Sequence, residues 1–342
     1  MEEKRNFDLL TLGQVLLRLS PPNNDRLVRG DTFVKQVGGA ELNVAVGVAL
    51  LGLRTGVISK LPSHDMGSFM KGKIRSYGVS DDFFMYDDSP SARVGIYYYE
   101  NGAYPRKPKV IYDRANSSFY SLKIDEIPEK AYTASRCFHT SGITLALSPK
   151  VRETTIEMIK RFKAAGTLVS FDVNCRGNLW TGEEAKECIE QILPYVDIFF
   201  CSEDTARLTF KKTGTAREMM KSFTEEYPIS IVASTQRIVH SPKSHTFGSI
   251  IYDARKDIYY EEEPYRDIDV VDRIGSGDAY ISGALYGLLT SNFDCEKAVR
   301  YGNATSAVKN TIPGDLPSSD LEEIETIIKA HNQTGFQSEM AR

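Results

Sequence analysis

The sequence predicts an α/β protein: a mostly parallel sheet with helices on both faces, and a small second β sheet projecting over its edge. Three observations predict it. From about Ala134 to Thr235, strand-like and helix-like segments alternate, which implies crossover connections and therefore parallel strands. An aromatic strand pair near residues 92–114 stands outside that rhythm. A glycine turn, "GSGD" at Gly275–Asp278, joins a strand-like run to a helix-like one.

The elements follow in chain order. "FDLLTLGQVLLRLSPP", from Phe7, reads as two strands broken at Gly13 and stopped by Pro21 and Pro22. "QVGGAELNVAVGVALLGL" turns on Gly38 and Gly39, then runs helical from about Ala40 to Leu51. "RTGVISKLP" is a buried strand. "DMGSFMKGKIRSYGV" is an amphipathic helix with Asp65 as its N-cap. "SARVGIYYYENG" and "RKPKVIYDR" are two strands whose aromatics suit a half-covered pleated surface. With the strand near 14–20 they make the small sheet, from about 14–36 and 91–115, placed to close as a lid over a ligand at the strand ends.

The regular half then runs "SRCFHTSGI" (strand), "PKVRETTIEMIKRFKAAG" (helix, closed by Gly166), "TLVSFDVN" (strand), "GEEAKECIEQILPYV" (helix), "DIFFCS" (strand), "AREMMKSFTEEY" (helix) and "ISIVAST" (strand). "GSIIYDARKDIYYEEEPY" reads as an antiparallel pair, and helices are expected at about Asp294–Ala307 and Ser318–His331. No repeat or linker interrupts the chain, so it reads as one domain over 1–335 with a loose tail at 336–342.

Composition narrows the function. With 42 basic and 46 acidic residues the net charge is −4, so nothing draws the chain to nucleic acid or an anionic membrane. Five scattered cysteines form no C-x-x-C pair and the five histidines show no ligand spacing, which reads as reduced thiols rather than a metal site. The charged N-terminus is no secretory signal and no apolar run reaches membrane length. The reading is a cytoplasmic protein.

The chemistry centres on Asp278. Unpaired N–H groups and the helix dipole make a helix start an anion site, and glycine lets a phosphate approach without a Cβ in the way. On this stretch alone two readings stand. Asp278 accepts a proton from a hydroxyl during phosphoryl transfer, or it merely caps its helix. "GSFMKGK", Gly67–Lys73, fits a P-loop spacing, but Ile74 stands where Ser or Thr is required and the segment is helical. No G-x-G-x-x-G follows the first strand, which argues against a dinucleotide enzyme.

"GGAELNVAVGVALLGL" early and "DRIGSGDAYISGAL" late resemble, in order and spacing, the two signature regions of the PfkB (ribokinase-like) carbohydrate kinases. "LRLSPP", "VGIYYYENGAYPRKPKVIYDRANS", "FDVNCRGNLW" and "VKNTIPGD" resemble the 2-keto-3-deoxygluconate kinases within it. The resemblance implies a Rossmann-type three-layer core with a β lid, ATP as donor, and Mg²⁺ with the nucleotide. It implies Asp278 as base and the amides of Gly275, Ser276 and Gly277 as anion hole. Gly38, Gly39, Asn43, Tyr97, Tyr112, Arg114 and Arg176 are then expected in a sugar-acid pocket, and Thr235, Gly275, Gly277, Asn303 and Ala307 at the nucleotide.

Arg114 and Arg176 read alone are solvated surface charges. Beside a sugar acid they match its carboxylate in bidentate fashion. The sequence departs from the family at "CSEDTARL", where Ser202 and Thr205 stand in for Asn and Glu of a magnesium-associated N-x-x-E. Glu203 and Asp204 are the remaining metal candidates. The implied reaction is phosphorylation of a sugar acid, 2-keto-3-deoxygluconate, at its terminal hydroxyl. Its rivals are the same chemistry on a neutral sugar such as fructose or another keto-deoxy acid, and a sugar-binding relative without catalysis. Exposed lid strands invite edge pairing, so the expected assembly is a homodimer or higher homo-oligomer through the lid.

Overall fold

The computed structural model describes residues 5–331. The tail expected at 336–342 lies outside the described residues. The first half holds β1 (Phe7–Leu12), β2 (Leu16–Ser20), β3 (Val34–Gly38), α1 (Ala40–Leu50), β4 (Thr55–Pro62), α2 (Asp65–Ser76), β5 (Phe84–Asp87), β6 (Gly95–Glu100) and β7 (Lys109–Asp113). Next come β8 (Ser135–Ser141), α3 (Gly142–Ala146), α4 (Pro149–Ala164), β9 (Leu168–Asp172), α5 (Gly182–Glu190), β10 (Ile198–Phe200), α6 (Glu203–Leu208) and α7 (Ala216–Glu226). The chain continues with β11 (Ile231–Ser241), β12 (Ser244–Asp253), β13 (Ile258–Glu261), β14 (Tyr265–Asp269), α8 (Ser276–Thr290), α9 (Cys295–Asn310) and α10 (Leu321–His331).

The large sheet has the order β13-β12-β11-β10-β9-β8-β1-β4-β5, with β14 paired to β12. From β11 across to β5 every pair is parallel. β1 lies inside it, and all six of its residues are buried, as the unbroken apolar run of a doubly covered strand requires. On one face Phe138, Phe162, Phe171, Phe199 and Phe223 form a core with α3, α4, α5 and α7. On the other, Tyr280, Leu285 and Ala298 of α8 and α9 pack with Phe247 and Ile251. A Cβ at Gly287 would lie 2.6 Å from Ala298 Cα, so this glycine serves helix packing.

The small sheet runs β3-β2-β6-β7, and β3 continues to Gly38, past the expected bound of 36. β2 pairs in parallel with β6 and antiparallel with β3. Because β1, β9, β10 and β11 are parallel, their carboxyl ends share one edge. Gln14, Asp172 to Arg176, Cys201 to Thr205 and Thr235 therefore collect there, beside the small sheet.

Several local readings are corrected. The cap of α2 is His64, whose Nδ1 accepts from the Met66 amide at 3.2 Å. The chain is still extended at His64, so Asp65 is already helical and acts on the positive helix end by its charge. α2 does contain the P-loop-like "GSFMKGK" inside a helix. α3, α6, β5 and β14 were not foreseen; each is six residues or fewer, too short to show a period of its own. α9 extends to Asn310, past Ala307. Among the described residues no helix is long and apolar enough to cross a membrane.

Candidate active site

At the carboxyl edge of the large sheet lies a cleft of about 510 Å³, walled on the other side by β6 and β7. Its floor is the turn before α8. Gly275 has φ +82°, a left-handed conformation that glycine adopts without strain, and a Cβ there would lie 2.1 Å from the Asp315 carbonyl oxygen. The Ser276 amide closes the turn on the Arg273 carbonyl at 3.3 Å, and the first helical bond runs from the Ala279 amide to the Gly275 carbonyl at 2.8 Å. The amides of Gly275, Gly277 and Asp278 have no acceptor among the described residues. Space beside Gly277 is open. Three free donors at a helix start make an anion cradle, with Ser276 spent on shaping it.

Asp278 stands in the first turn of α8, half-buried at the cleft wall. Its Oδ2 accepts from Asn43 Nδ2 at 2.7 Å, which ties α8 to α1. Burial raises its pKa to about 7, against the opposing Asn43 hydrogen bond and Arg176 charge. Asp172, at the end of β9, is likewise raised to about 7, first by burial and then by the negative charge of Asp278. Glu41 lies behind them, fully buried, and accepts from Ser141 and Thr144 hydroxyls at 2.6 and 2.7 Å. Burial raises its pKa too.

Arginine dominates the remaining lining. Arg114 is 8% exposed; its Nε donates to Gln14 Oε1 at 2.8 Å, and its guanidinium lies 5.5 Å from the Tyr112 ring centroid. Its terminal nitrogens have no hydrogen-bond partner among the described residues. Arg176, Arg237 and Arg273 also line the cleft, and none of the four has a carboxylate within ion-pair distance among the described residues. Burial and the neighbouring charges of Arg273 and Arg176 lower the Arg237 pKa. Four arginines without a direct carboxylate partner, in a cleft that also holds Glu41, Asp172, Asp204, Asp278 and Asp315, leave guanidinium donors free for an anion.

The cleft gathers Gly39, Asn43, Tyr97, Tyr112, Arg114, Arg176, Thr235, Gly275, Ser276, Gly277 and Asp278, all named from the sequence. Gly38 lies beneath it, where a Cβ would sit 2.2 Å from Asp315 Oδ2. Asn303 and Ala307 are not among its lining residues. Asn303 is buried in α9, accepting from Ser249 at 2.7 Å and donating to Glu262 at 3.0 Å. Asp204 reaches the cleft, whereas Glu203 turns to Arg207 at 2.8 Å. The Ser202 and Thr205 hydroxyls bond each other at 2.8 Å, and Ser202 caps α6. Among the described residues no group of three or more His, Cys, Asp or Glu side chains is arranged to hold a metal.

The sequence reading missed Asp172, Arg237 and Arg273 as site residues. Asp172 was legible as the acid of "FDVNCR", two residues from the end of a strand run. It also missed the support below the turn. Tyr97 Oη donates to Asp315 Oδ1, and Arg18 of β2 bridges Asp272 and Asp315, at 2.8 Å to the latter.

The pfkB family of carbohydrate kinases matches residues 6–320, and the chain belongs to that family. It is 34% identical over 322 residues to a 2-dehydro-3-deoxygalactonokinase of Haloferax volcanii, covering 94% of this chain and 96% of the relative. A 5-dehydro-2-deoxygluconokinase of Listeria monocytogenes is 27% identical, with 95% and 97% covered. The crystal structure of a 2-dehydro-3-deoxygluconokinase of Thermotoga maritima superposes with a TM-score of 0.89 at 32% identity, covering 94% of this chain and 99% of that one. The fold is the ribokinase-like one, and the chain is a carbohydrate kinase.

The raised carboxyls give a signed pH effect. A carboxyl whose pKa is higher folded than unfolded binds more protons in the folded state between the two values, so stability falls as pH rises through that window. For Asp172 the window runs from 3.8 to about 7. The melting temperature of Asp172→Asn relative to the parent should therefore climb from pH 4 to 7 and level off above, measured by calorimetry on the ligand-free protein. A difference that is flat across that range would show Asp172 to be an ordinary solvated carboxylate.

Proposed function

We propose that this pfkB-family kinase transfers the γ-phosphoryl group of ATP to the terminal hydroxyl of a 2-keto-3-deoxy sugar acid, foremost 2-keto-3-deoxygluconate, giving 2-keto-3-deoxy-6-phosphogluconate. The observation that carries the reading is the pair of anion sites in one cleft. One is the free-amide turn at Gly275–Asp278. The other is the set of arginines without carboxylate partners, Arg114 above all, on the small-sheet side. A neutral sugar offers nothing to the second site, and a sugar acid does. The name of the Haloferax relative favours a second reading at the level of one stereocentre, the galactonate epimer.

Transfer of a phosphoryl group asks for in-line positioning, charge stabilisation and a proton acceptor. Asp278 accepts the proton of the attacking hydroxyl as the new O–P bond forms and ADP departs. Asn43 fixes one carboxylate oxygen, and a pKa near neutrality suits the group to receive a proton. The free amides of Gly275, Gly277 and Asp278 fit the oxygens of a transferring phosphate. Asp204, which lines the cleft, is the residue of this chain that would help to hold a magnesium ion brought with the nucleotide, and such an ion would supply neutralisation of phosphate charge. The small sheet acts as the lid, with Arg114 and Tyr112 closing on the acid. As an ATP consumer with five free cysteines, the enzyme is read as cytoplasmic.

Three measurements test this. ADP release is followed against a panel of gluconate- and galactonate-derived keto-deoxy acids, fructose and ribose. In Asp278→Asn, kcat on the preferred acid should fall about 10²–10⁴-fold with nucleotide affinity nearly unchanged; since Asn caps as well as Asp, full turnover would reduce Asp278 to a cap. Arg114→Ala and Arg176→Ala each remove charge-assisted hydrogen bonds of about 1.5–3 kcal/mol, so kcat/KM for the acid should drop about 10- to 150-fold while that for fructose barely moves. Equal losses on both substrates, or a parent that prefers fructose, would replace the acid by a neutral sugar.

Edge strands β3 and β7 expose Val34, Val110 and Ile111 at 45, 46 and 56%, which supports a homodimer through the small sheet. Light scattering should then give twice 38.3 kDa, and Ile111→Glu should halve it. A monomeric parent at micromolar concentration overturns the dimer.

A further inference from the structure

Below the phosphate turn lies a buried cation that the reaction as described does not use. Lys309, in the last turn of α9, is 1% exposed. Its Nζ donates to the carbonyl oxygens of Asp272 and Ile312 at 3.3 and 3.2 Å. No carboxylate lies within ion-pair distance of it among the described residues. A fully buried ammonium held by carbonyls alone is unusual, because removing such a charge from water is expensive. Burial lowers its pKa, opposed by the negative charges of Asp272, Asp315 and Asp278.

Its two ligands flank the site. Asp272 immediately precedes the Arg273–Gly277 turn, and its carboxylate accepts from the Ile274 and Gly314 amides at 3.0 and 3.1 Å. Ile312 lies in the loop that brings Asp315 against Gly275. The amides of Val271 and Asp272 donate to the Asn310 carbonyl at 2.8 and 3.1 Å, so the end of α9 and the start of the turn form one unit.

We infer that Lys309 is a positioning residue for phosphoryl transfer: a covalently tethered cation that clamps the Asp272 and Ile312 carbonyls, sets the shape of the Gly275–Asp278 turn, and adds positive potential behind it. This rests on the family's kinase chemistry and on the turn as the phosphate site, and not on which sugar is phosphorylated. The plainer alternative is a helix C-terminal charge satisfying spare carbonyls, which would matter for stability only. The two differ in what a free cation can replace. Lys309 adjoins a cavity of about 10 Å³ that also touches Ser319, whose buried Oγ has no partner. Truncation to Ala joins the vacated volume to this cavity and leaves room for a small cation between the same carbonyls.

The test compares the parent and Lys309→Ala in tetramethylammonium chloride, and after addition of ammonium, methylammonium or potassium at constant ionic strength. ADP release is measured on the best sugar of the panel, whichever it is, and affinity for a non-hydrolysable ATP analogue by calorimetry. Lys309→Ala should lose about 10- to 100-fold in kcat, the scale of a small misplacement at a catalytic centre, and bind the nucleotide more weakly. The small cations should restore both, and the parent should be indifferent to all of them. A parent that needs an added monovalent cation overturns the inference, as does a folded variant with full activity or with a loss that no cation repairs. If Lys309→Ala does not fold, Lys309→Arg and the salt response of the parent decide: a cation-dependent parent overturns it, and an indifferent parent with a kcat loss in the Arg variant at unchanged melting temperature sustains it. Inactivity of the parent on every sugar acid would refute the proposed substrate class alone, because the calorimetric arm reads nucleotide and cation without any sugar.

Discussion

The guanidinium of Arg18 joins the two halves of this molecule. It projects from β2 in the small sheet, is 2% exposed, and bridges Asp272 and Asp315, while its Nε donates to Ser20 at 2.8 Å and its plane lies 4.5 Å from the Tyr99 ring centroid. Asp272 opens the phosphate turn. Asp315 abuts Gly275 and Gly38 and accepts from Tyr97. A single cation thus fixes the small sheet, the phosphate turn and the loop after α9 against one another. Pairing of this kind contributes little net stability, but breaking one partner of a buried pair costs about 3–5 kcal/mol. Its value here is geometric: it ties β2 of the small sheet to the turn before α8, which gives both a common reference frame.

On that frame the cleft carries opposed electrostatic preparations. Arg114, Arg176, Arg237 and Arg273 are left without carboxylate partners, and the turn leaves three amides unused. Asp172, Asp278 and Glu41 are held in surroundings that favour their protonated forms. Bare arginines and unused amides are unfavourable for the empty protein; on the proposed reading, the binding energy they release to anions would offset the desolvation of Asp278.

The departure at Ser202 and Thr205 also acquires a physical account. Their hydroxyls bond each other, and that of Ser202 caps α6 by accepting from the Thr205 amide, so the pair serves the helix start that carries Asp204 into the cleft. The carboxylates that line the cleft beside that strand end are Asp204 and, on the neighbouring strand, Asp172, which pairs with Phe200.

The sequence by itself determined whatever is written in contiguous residues. The alternation of runs set the parallel sheet, the aromatic pair set the small sheet, and the glycines set the turn with Asp278 at its mouth, because strand, helix and turn preferences act over a few neighbouring residues. Family resemblance then carried Arg114 and Arg176 to the cleft. Only the tertiary structure decided the rest. Arg18 meets Asp272 and Asp315 across 254 and 297 residues, and no local pattern marks such pairs. Asp172 lines the cleft because parallel strands deliver their carboxyl ends to one edge, whereas Arg237 comes from the antiparallel extension of β11 beyond β10 and Arg273 from the loop after β14. Asn303, expected at the nucleotide, went into the α9 packing because Ser249 and Glu262 claim its amide. Whether a polar side chain faces a ligand or a neighbour depends on which distant element packs over it, and that is settled by burial rather than by sequence neighbourhood.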